Sequence, residues 1–437
     1  MNQALRGPIL FAIMGGLLML VGFGQSWSVA LSILNLCLIS SIMALGLNMQ
    51  WGYAGLFNVG VMSFTALGGV AAVLVSKPPV PEAWEVAWID LLGTVVTLIA
   101  AIGIIVRVRR RLVPGGLRMI VTAVLILVGY GAVRIFFDPA VEAIEETNPA
   151  KSGYLGGLNL PIILAWPIGG LVAAGAAWMI AKVALGLRAD YLAIATLGIS
   201  EIVLAILKNE DWLARGVKNV TGLDRPVPYE VDLQESARFR EFVSGMGMDV
   251  LDASTIFVKL CYASLFLAVL VIVMVLAQKA LHSPWGRMMR AIRDNEAAAA
   301  AMGKNVTRRH LEIFVIGAAV VGMAGAMLTT LDGQFTPGSY QPLRFTFLIW
   351  VMVIVGGSGN NWGAVLGGFF VWFIWVEAEP AGLWLMEVLT SVLGDESALR
   401  EHLIASAPYM RVCVMGLILL LVLRFSPRGL IPDRMGR

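Results

Sequence analysis

The chain has 437 residues, 58% of them hydrophobic and only 14% charged, with a formal net charge of +3. Soluble domains carry about 25% charged residues, so this composition excludes a soluble globular protein, and the small net charge gives no sign of a nucleic-acid partner. Only helices and closed barrels satisfy their backbone inside lipid, and long apolar runs favour the first, an all-α, polytopic transmembrane helical bundle.

Twelve apolar runs follow one another at 8–23, 27–50, 58–76, 89–106, 117–137, 161–181, 191–207, 256–277, 311–331, 343–357, 361–377 and 408–424. The first follows Arg6 and lacks a convincing small-residue cleavage site, so it reads as an uncleaved span. A crossing needs about 20 residues, so 191–207, 343–357 and 361–377 read as tilted, broken or half-spanning, leaving about 10–12 spans. Lys and Arg concentrate in alternate loops: at Arg6, at 107–118, at Lys182 and Arg188, in 279–309 and at 424–437. The short loops between hold only Lys77, Lys151 and Arg400. By the positive-inside rule the first set, with both termini, is cytoplasmic.

Glycine and asparagine interrupt the apolar pattern twice, in WGYAGLFNVG (51–60) and GGSGNNWGAVLGG (356–368). Such breaks allow close helix packing, as at the GxxxG pair Gly363–Gly367. They also free backbone groups that can bind a polar solute. Gly52, Tyr53, Gly55, Asn58, Gly356 and Gly357 are candidate pathway residues on this ground. Glu201, with Thr196 near it in YLAIATLGISEIVLAIL (191–207), joins them because an ionisable group at membrane depth is expensive. The longest polar stretch, 208–255, mixes acids, prolines and basic residues and reads as an outer loop with a short helix near Glu235–Val243. With the acidic stretch 378–407 it forms a candidate landing surface for a soluble partner. Arg134, Arg344 and Arg411 lie near segment ends and read as snorkelling.

Residues 283–309 (SPWGRMMRAIRDNEAAAAAMGKNVTRR) lie between two apolar runs and are rich in helix formers. An Arg at the bilayer centre costs about 2.5–3.5 kcal/mol, so this segment is an ordered helical loop on the cytoplasmic surface. Arg287, Arg290 and Asp294 fall one turn apart on one face, and Gly303 is placed to cap the helix end. No GxxxxGK[ST] phosphate loop occurs, His282, His310 and His402 are scattered, and no metal site is expected. Cys37, Cys261 and Cys413 lie in apolar segments and read as buried free thiols.

Several motifs in order resemble the permease subunits of ABC importers for branched-chain amino acids, specifically the M-type subunit. They are ALGLNMQWGYAGLFNVGVMSF (44–64), LGLRADYLAIATLGISEIV (185–203), 283–311, FVIGAAVVGMAGAML (314–328), VGGSGNNWGAVLGG (355–368) and RFSPRGLIP (424–432). The likeness covers roughly 30–76 and 161–432 of a single permease domain. It departs at VTGLDRP (220–226), where the family usually has Thr-Gly-Gly, and at 78–150, which reads as a two-span insertion with no function assigned beyond an anchoring hairpin. The resemblance implies that 283–309 is the cytoplasmic coupling loop. Glu296, Ala297, Ala298 and Gly303 would be its EAA-x-G core, seated with Arg287, Arg290 and Asp294 against an ATPase subunit. It implies no enzyme activity and no cofactor in this chain, ATP and Mg being bound by the ATPase partners. It further implies a second, homologous permease in a heterodimer, a soluble periplasmic solute-binding protein, and a bacterial inner membrane whose lipid surrounds the bundle. The solute expected is a branched-chain or other hydrophobic amino acid. The alternatives are urea or a short amide within the family, and outside it an ion-coupled secondary carrier using Glu201.

Overall fold

The computed structural model describes residues 3–148, 153–391 and 397–433; Lys151, Arg434 and Arg437, used above for orientation, lie outside them. The helices run, in order, α1 (Gln3–Gly24), α2 (Trp27–Asn48), α3 (Val61–Ser76), α4 (Pro81–Arg111), α5 (Gly116–Thr147), α6 (Ala165–Ala184), α7 (Ala189–Asn209), α8 (Asp211–Ala214) and α9 (Glu230–Glu235). They continue with α10 (Ala237–Gly245), α11 (Val250–His282), α12 (Pro284–Asp294), α13 (Glu296–Ala301), α14 (Val306–Asp332), α15 (Pro342–Gly356), α16 (Asn361–Thr390), α17 (Ala398–Ala405) and α18 (Met410–Phe425). Among the described residues one two-stranded antiparallel sheet joins β1 (Val220–Thr221) to β2 (Gln334–Phe335), and Pro79 and Gly156 form an isolated β-bridge. The chain is thus a polytopic helical bundle.

Every apolar run becomes a helix. Among the described residues ten helices are long and apolar enough to cross a membrane, while α3 and α15 are shorter. The expected short runs need correction. α7 reaches 21 residues and α16 reaches 30, beyond the runs at 191–207 and 361–377. α16 continues because the polar groups that end its apolar run find partners. Gln25 donates to Glu377 at 2.9 Å, and Arg411 forms an ion pair with Glu379 instead of snorkelling. The run at 58–76 loses its start: residues 55–60 leave the helix, and α3 begins only at Val61.

α2, α3, α6 and α14 make the centre of the bundle, with α11, α15 and α16 around α2. Their closeness rests on missing side chains. A Cβ on Gly68 would collide with Gly322 O, one on Gly325 with Thr65 O, and one on Gly46 would lie 2.7 Å from Gly317 O. Without a hydrophobic drive between helices in lipid, such contacts supply van der Waals packing at short range. The Gly363–Gly367 pair does the same work where α16 crosses α15. Of the three cysteines only Cys37 is buried; Cys413 is exposed, since its helix α18 lies at the edge of the bundle.

The hairpin α4–α5 stands apart. Its two helices pack on each other, Gly93 receiving the Phe136 ring. It meets the bundle near one end, where Ala83, Ala87, Ala140 and Ile144 gather with Leu155 and Trp212.

Candidate coupling and pathway site

The loop after α11 is two helices, not one. Ser283 caps α12, accepting from Gly286 N at 3.2 Å, and Asn295 caps α13, accepting from Ala298 N at 3.0 Å. Asn295 is extended (φ −157°, ψ 97°), which ends α12 and turns the chain before Glu296. The signal was present in the sequence, since Asn before Glu is an N-cap pattern. Gly303 has φ +75° and ends the second helix in the left-handed region. Glu296, Ala297 and Ala298 are exposed, so the alanine-rich helix presents an uncovered face. Arg287 is exposed and donates to His282 O at 3.2 Å; Arg290 is half-buried and donates to Leu281 O at 3.4 Å. Asp294 is exposed and pairs with Arg293 at 3.1 Å.

Arg293 was not singled out from the sequence, yet it joins this loop to the bundle. Its guanidinium donates to Gly52 O at 2.5 Å and lies 3.9 Å from the Asp433 carboxylate. Gly52 belongs to a π-helical turn, Met49–Tyr53, that closes α2. Such turns are rare and frequent at functional sites. Nothing in a bare RMMRAIRD pattern distinguishes Arg293 from its neighbours.

Behind Gly52 lies a buried amide network. The Asn361 side chain accepts from Asn48 Nδ2 at 3.2 Å and from the Tyr53 hydroxyl, and donates to Gln278 Oε1 at 2.8 Å. Asn48 Oδ1 accepts from Gly359 N at 2.8 Å. Irregular backbone survives at membrane depth only when protein satisfies it, and the segment after Tyr53 shows how. Val59 N donates to Thr196 Oγ1 at 3.0 Å, Gly60 N to Asn58 Oδ1 at 2.9 Å, and Leu56 N to Gln50 O at 3.0 Å. Asn58 in turn donates to Gln50 Oε1 at 2.8 Å, and Trp350 Nε1 donates to Asn58 O at 3.0 Å.

The structure therefore brings together Gly52, Tyr53, Gly55, Asn58 and Thr196, with Gly55 (φ +71°) resting on the Arg293 stem. Gly356 and Gly357 sit close by, in a different role. A Cβ on Gly356 would collide with Gly363 O, and Gly357 (φ +117°) backs onto the C-terminal segment. There Leu430 N and Ile431 N donate to Val355 O and Gly356 O at 2.7 and 2.8 Å. Glu201 is not in the network. It is exposed, off the stripe of α7 that buries Leu192, Thr196, Ser200 and Leu204. Arg290, Gln278, Asn360 and Asp433 line a cleft of about 710 Å³ beside the junction.

The long polar loop after α7 is tied to the end of α14 by the short β pair. Val220 and Thr221 pair with Phe335 and Gln334, and Leu223 N donates to Gly333 O at 3.0 Å. The helix expected near Glu235–Val243 appears as α10, one turn-break after α9.

The family described as branched-chain amino acid transport system / permease component matches residues 29–423. The chain belongs to that family. It is 31% identical over 203 residues to the high-affinity branched-chain amino acid transport system permease protein LivM of Salmonella typhimurium, covering 46% of this chain and 47% of that protein. It is 30% identical over 208 residues to LivM of Escherichia coli, covering 47% and 48%. Against these two relatives the matched length is thus about half of each chain. A probable branched-chain amino acid transport permease LivM of Methanocaldococcus jannaschii is 25% identical over 397 residues, 90% of both chains. No solved structure matches the chain.

Proposed function

We propose that the chain is the membrane-spanning permease subunit of an ATP-driven importer for branched-chain or other hydrophobic amino acids. The family match over 29–423 carries this reading. The exposed α13 and its capped ends give an ATPase subunit something to grip. Arg293 gives the grip a consequence: a shift of α12 pulls on Gly52 O and so on the π turn of α2. Through Asn48, Tyr53 and Asn361 that pull reaches α11 and α16. ATP closure changes the state of the bundle only if it holds one arrangement of α12 more tightly than another.

Glu201 supports a second permease. It lies within a span, and the chain leaves it uncovered beside Gly198, where an added Cβ would meet no other part of the chain within 4 Å. A carboxylate facing acyl chains is costly, so this face of α7 belongs against another subunit or a watery path between two. A soluble binding protein would dock on the outer loops, whose β pair reaches the end of α14. ATP and Mg belong to the ATPase partners, and the setting is a bacterial inner membrane.

The test is a pull-down of the tagged chain from solubilised membranes, with uptake into proteoliposomes made from the recovered complex. Wild type recovers an ATPase and a second permease, and a cysteine at Gly198 cross-links to the latter. Glu296→Arg and Gly303→Pro lose the ATPase while the chain stays folded. Leucine competes for ATP-driven uptake and urea does not. Gradient-driven uptake by the chain alone, with no ATPase recovered, would sink the proposal.

A further inference from the structure

A cavity of about 320 Å³ opens between α2, α14, α15 and α16, on the opposite side of the membrane from the coupling loop. Its walls are apolar: Ile39, Met43, Leu348, Ile349 and Met352 line it, and all five are buried. Small-molecule sites run from roughly 300 to 1,000 Å³, so this one suits a solute of few heavy atoms. No Lys or Arg lines it, and its single ionisable carboxylate is Asp332.

Asp332 is placed against its own helix. It is the last residue of α14, where the helix dipole disfavours negative charge. Among the described residues no hydrogen bond or ion pair offsets that; it is exposed beside Gln334 at the cavity rim. The cavity also holds polar atoms with unused capacity. Thr336 Oγ1 and Trp372 Nε1 are buried without a hydrogen-bond partner among the described residues, and both residues line it. Buried polar groups are rarely left so, and each marks a place for a ligand atom or water.

We propose that this cavity is a solute site for a zwitterionic amino acid with an apolar side chain. Asp332 takes the α-ammonium, the Ile, Leu and Met walls take the side chain, and the Thr336 hydroxyl and Trp372 N–H are the donors open to the carboxylate. The proposal rests on the importer reading above and deepens it by placing the solute within one subunit. It also links delivery to binding. Gln334, at the rim, pairs with Thr221 of the outer loop, so a protein landing on that loop touches the mouth of the cavity.

The experiment uses photo-leucine, a diazirine analogue of leucine, on the full chain in the complex recovered from its own membranes. Cross-linked residues are mapped by mass spectrometry, and ATP-driven leucine uptake is measured on the same preparation. Label is expected on the walls near Ile349 and Met352. Excess leucine should suppress it, and N-acetyl-leucine, which lacks the ammonium, should not. Asp332→Asn should lower labelling at least tenfold. Because Asp332 is at the rim, that variant should fold; the N-acetyl-leucine arm needs no variant at all. Label elsewhere, or label that N-acetyl-leucine removes and Asp332→Asn leaves unchanged, overturns the site, the second result marking a greasy slot for lipid. Leucine uptake that persists alongside either result leaves the importer reading standing. Absence of ATP-driven uptake of any apolar amino acid overturns both.

Discussion

Arg293 crosses the boundary between the α12–α13 loop and the bundle with a strong hydrogen bond, 2.5 Å to Gly52 O. Hydrogen bonds from charged donors are worth roughly twice neutral ones; elsewhere on α12 the neutral Trp285 indole donates to Glu312 of α14 at 3.1 Å, while Arg287 and Arg290 return to the end of α11. Arg293→Ala should therefore leave the ATPase bound while cutting ATP-driven uptake about tenfold, the equivalent of 1.4 kcal/mol of lost coupling. ATP hydrolysis by the assembled complex, measured beside uptake, checks this; loss of both in equal proportion would mean simple misfolding. Asp433, 3.9 Å from the same guanidinium, is a different matter. Burial raises its carboxyl above the ordinary aspartate range, with Arg293 and Arg290 pulling downward and Asp294 adding to the rise. A raised acid holds its proton more tightly folded than unfolded. Its stabilising contribution is present below the unfolded value and is lost as pH rises through the folded one. At pH 7 Asp433→Asn should melt no lower than wild type, whereas a pair that stabilised the fold would make it melt lower.

Helices meet in this bundle where side chains are absent, so single additions should be felt along a whole element. Gly325 faces Thr65 O with no room for a Cβ, and Leu there would force α14 off α3. Overpacking a close contact costs about 1–3 kcal/mol. Gly325→Leu should lower the melting temperature in detergent clearly, while Gly198→Ala, with open space around it, should not. The elements themselves were readable because a span is a long apolar run, a signal carried by many residues at once. Partnerships were not. The apolar run at 361–377 stops where Glu377 and Glu379 begin, and nothing in the sequence announces Gln25 or Arg411 as their partners. Arg293 and Asp332 were hidden for the same reason: each matters through what stands opposite it in space. Gly303 was legible, since a helix end asks for a left-handed residue locally. So was the cluster at 51–60, where Gly, Asn and Gln in an apolar run betray irregular backbone that must be satisfied.

At the scale of the molecule the bundle and the α4–α5 hairpin behave as separate pieces. The chain leaves the bundle at Pro79 and returns at Gly156, and these two residues form a β-bridge. Val80 N donates to Leu155 O at 3.1 Å and Gly157 N to Pro78 O at 3.3 Å, so the entry and exit strands already lie side by side. Loop closure is entropically cheap when the ends are adjacent, each doubling of loop length costing only about 0.6 kcal/mol. Replacing 80–155 with a short Gly/Ser linker should then spare the bundle. The bundle loses the hydrogen bond from Leu155 N to Trp212 O at 3.1 Å, the edge contact of Phe137 with Trp212, centroids 5.6 Å apart, and the buried Tyr154 ring at the margin of its core. The α12–α13 loop, the amide network behind Gly52 and the cavity between α2, α14, α15 and α16 draw no residue from the hairpin. The excised chain should therefore reach the membrane, recover the ATPase in a pull-down and keep ATP-driven uptake within about threefold of wild type, a change of under 1 kcal/mol. A chain that still recovers the ATPase but no longer recovers the second permease would assign the exposed hairpin faces to subunit assembly. A chain that aggregates outright would show that the hairpin completes the fold after all.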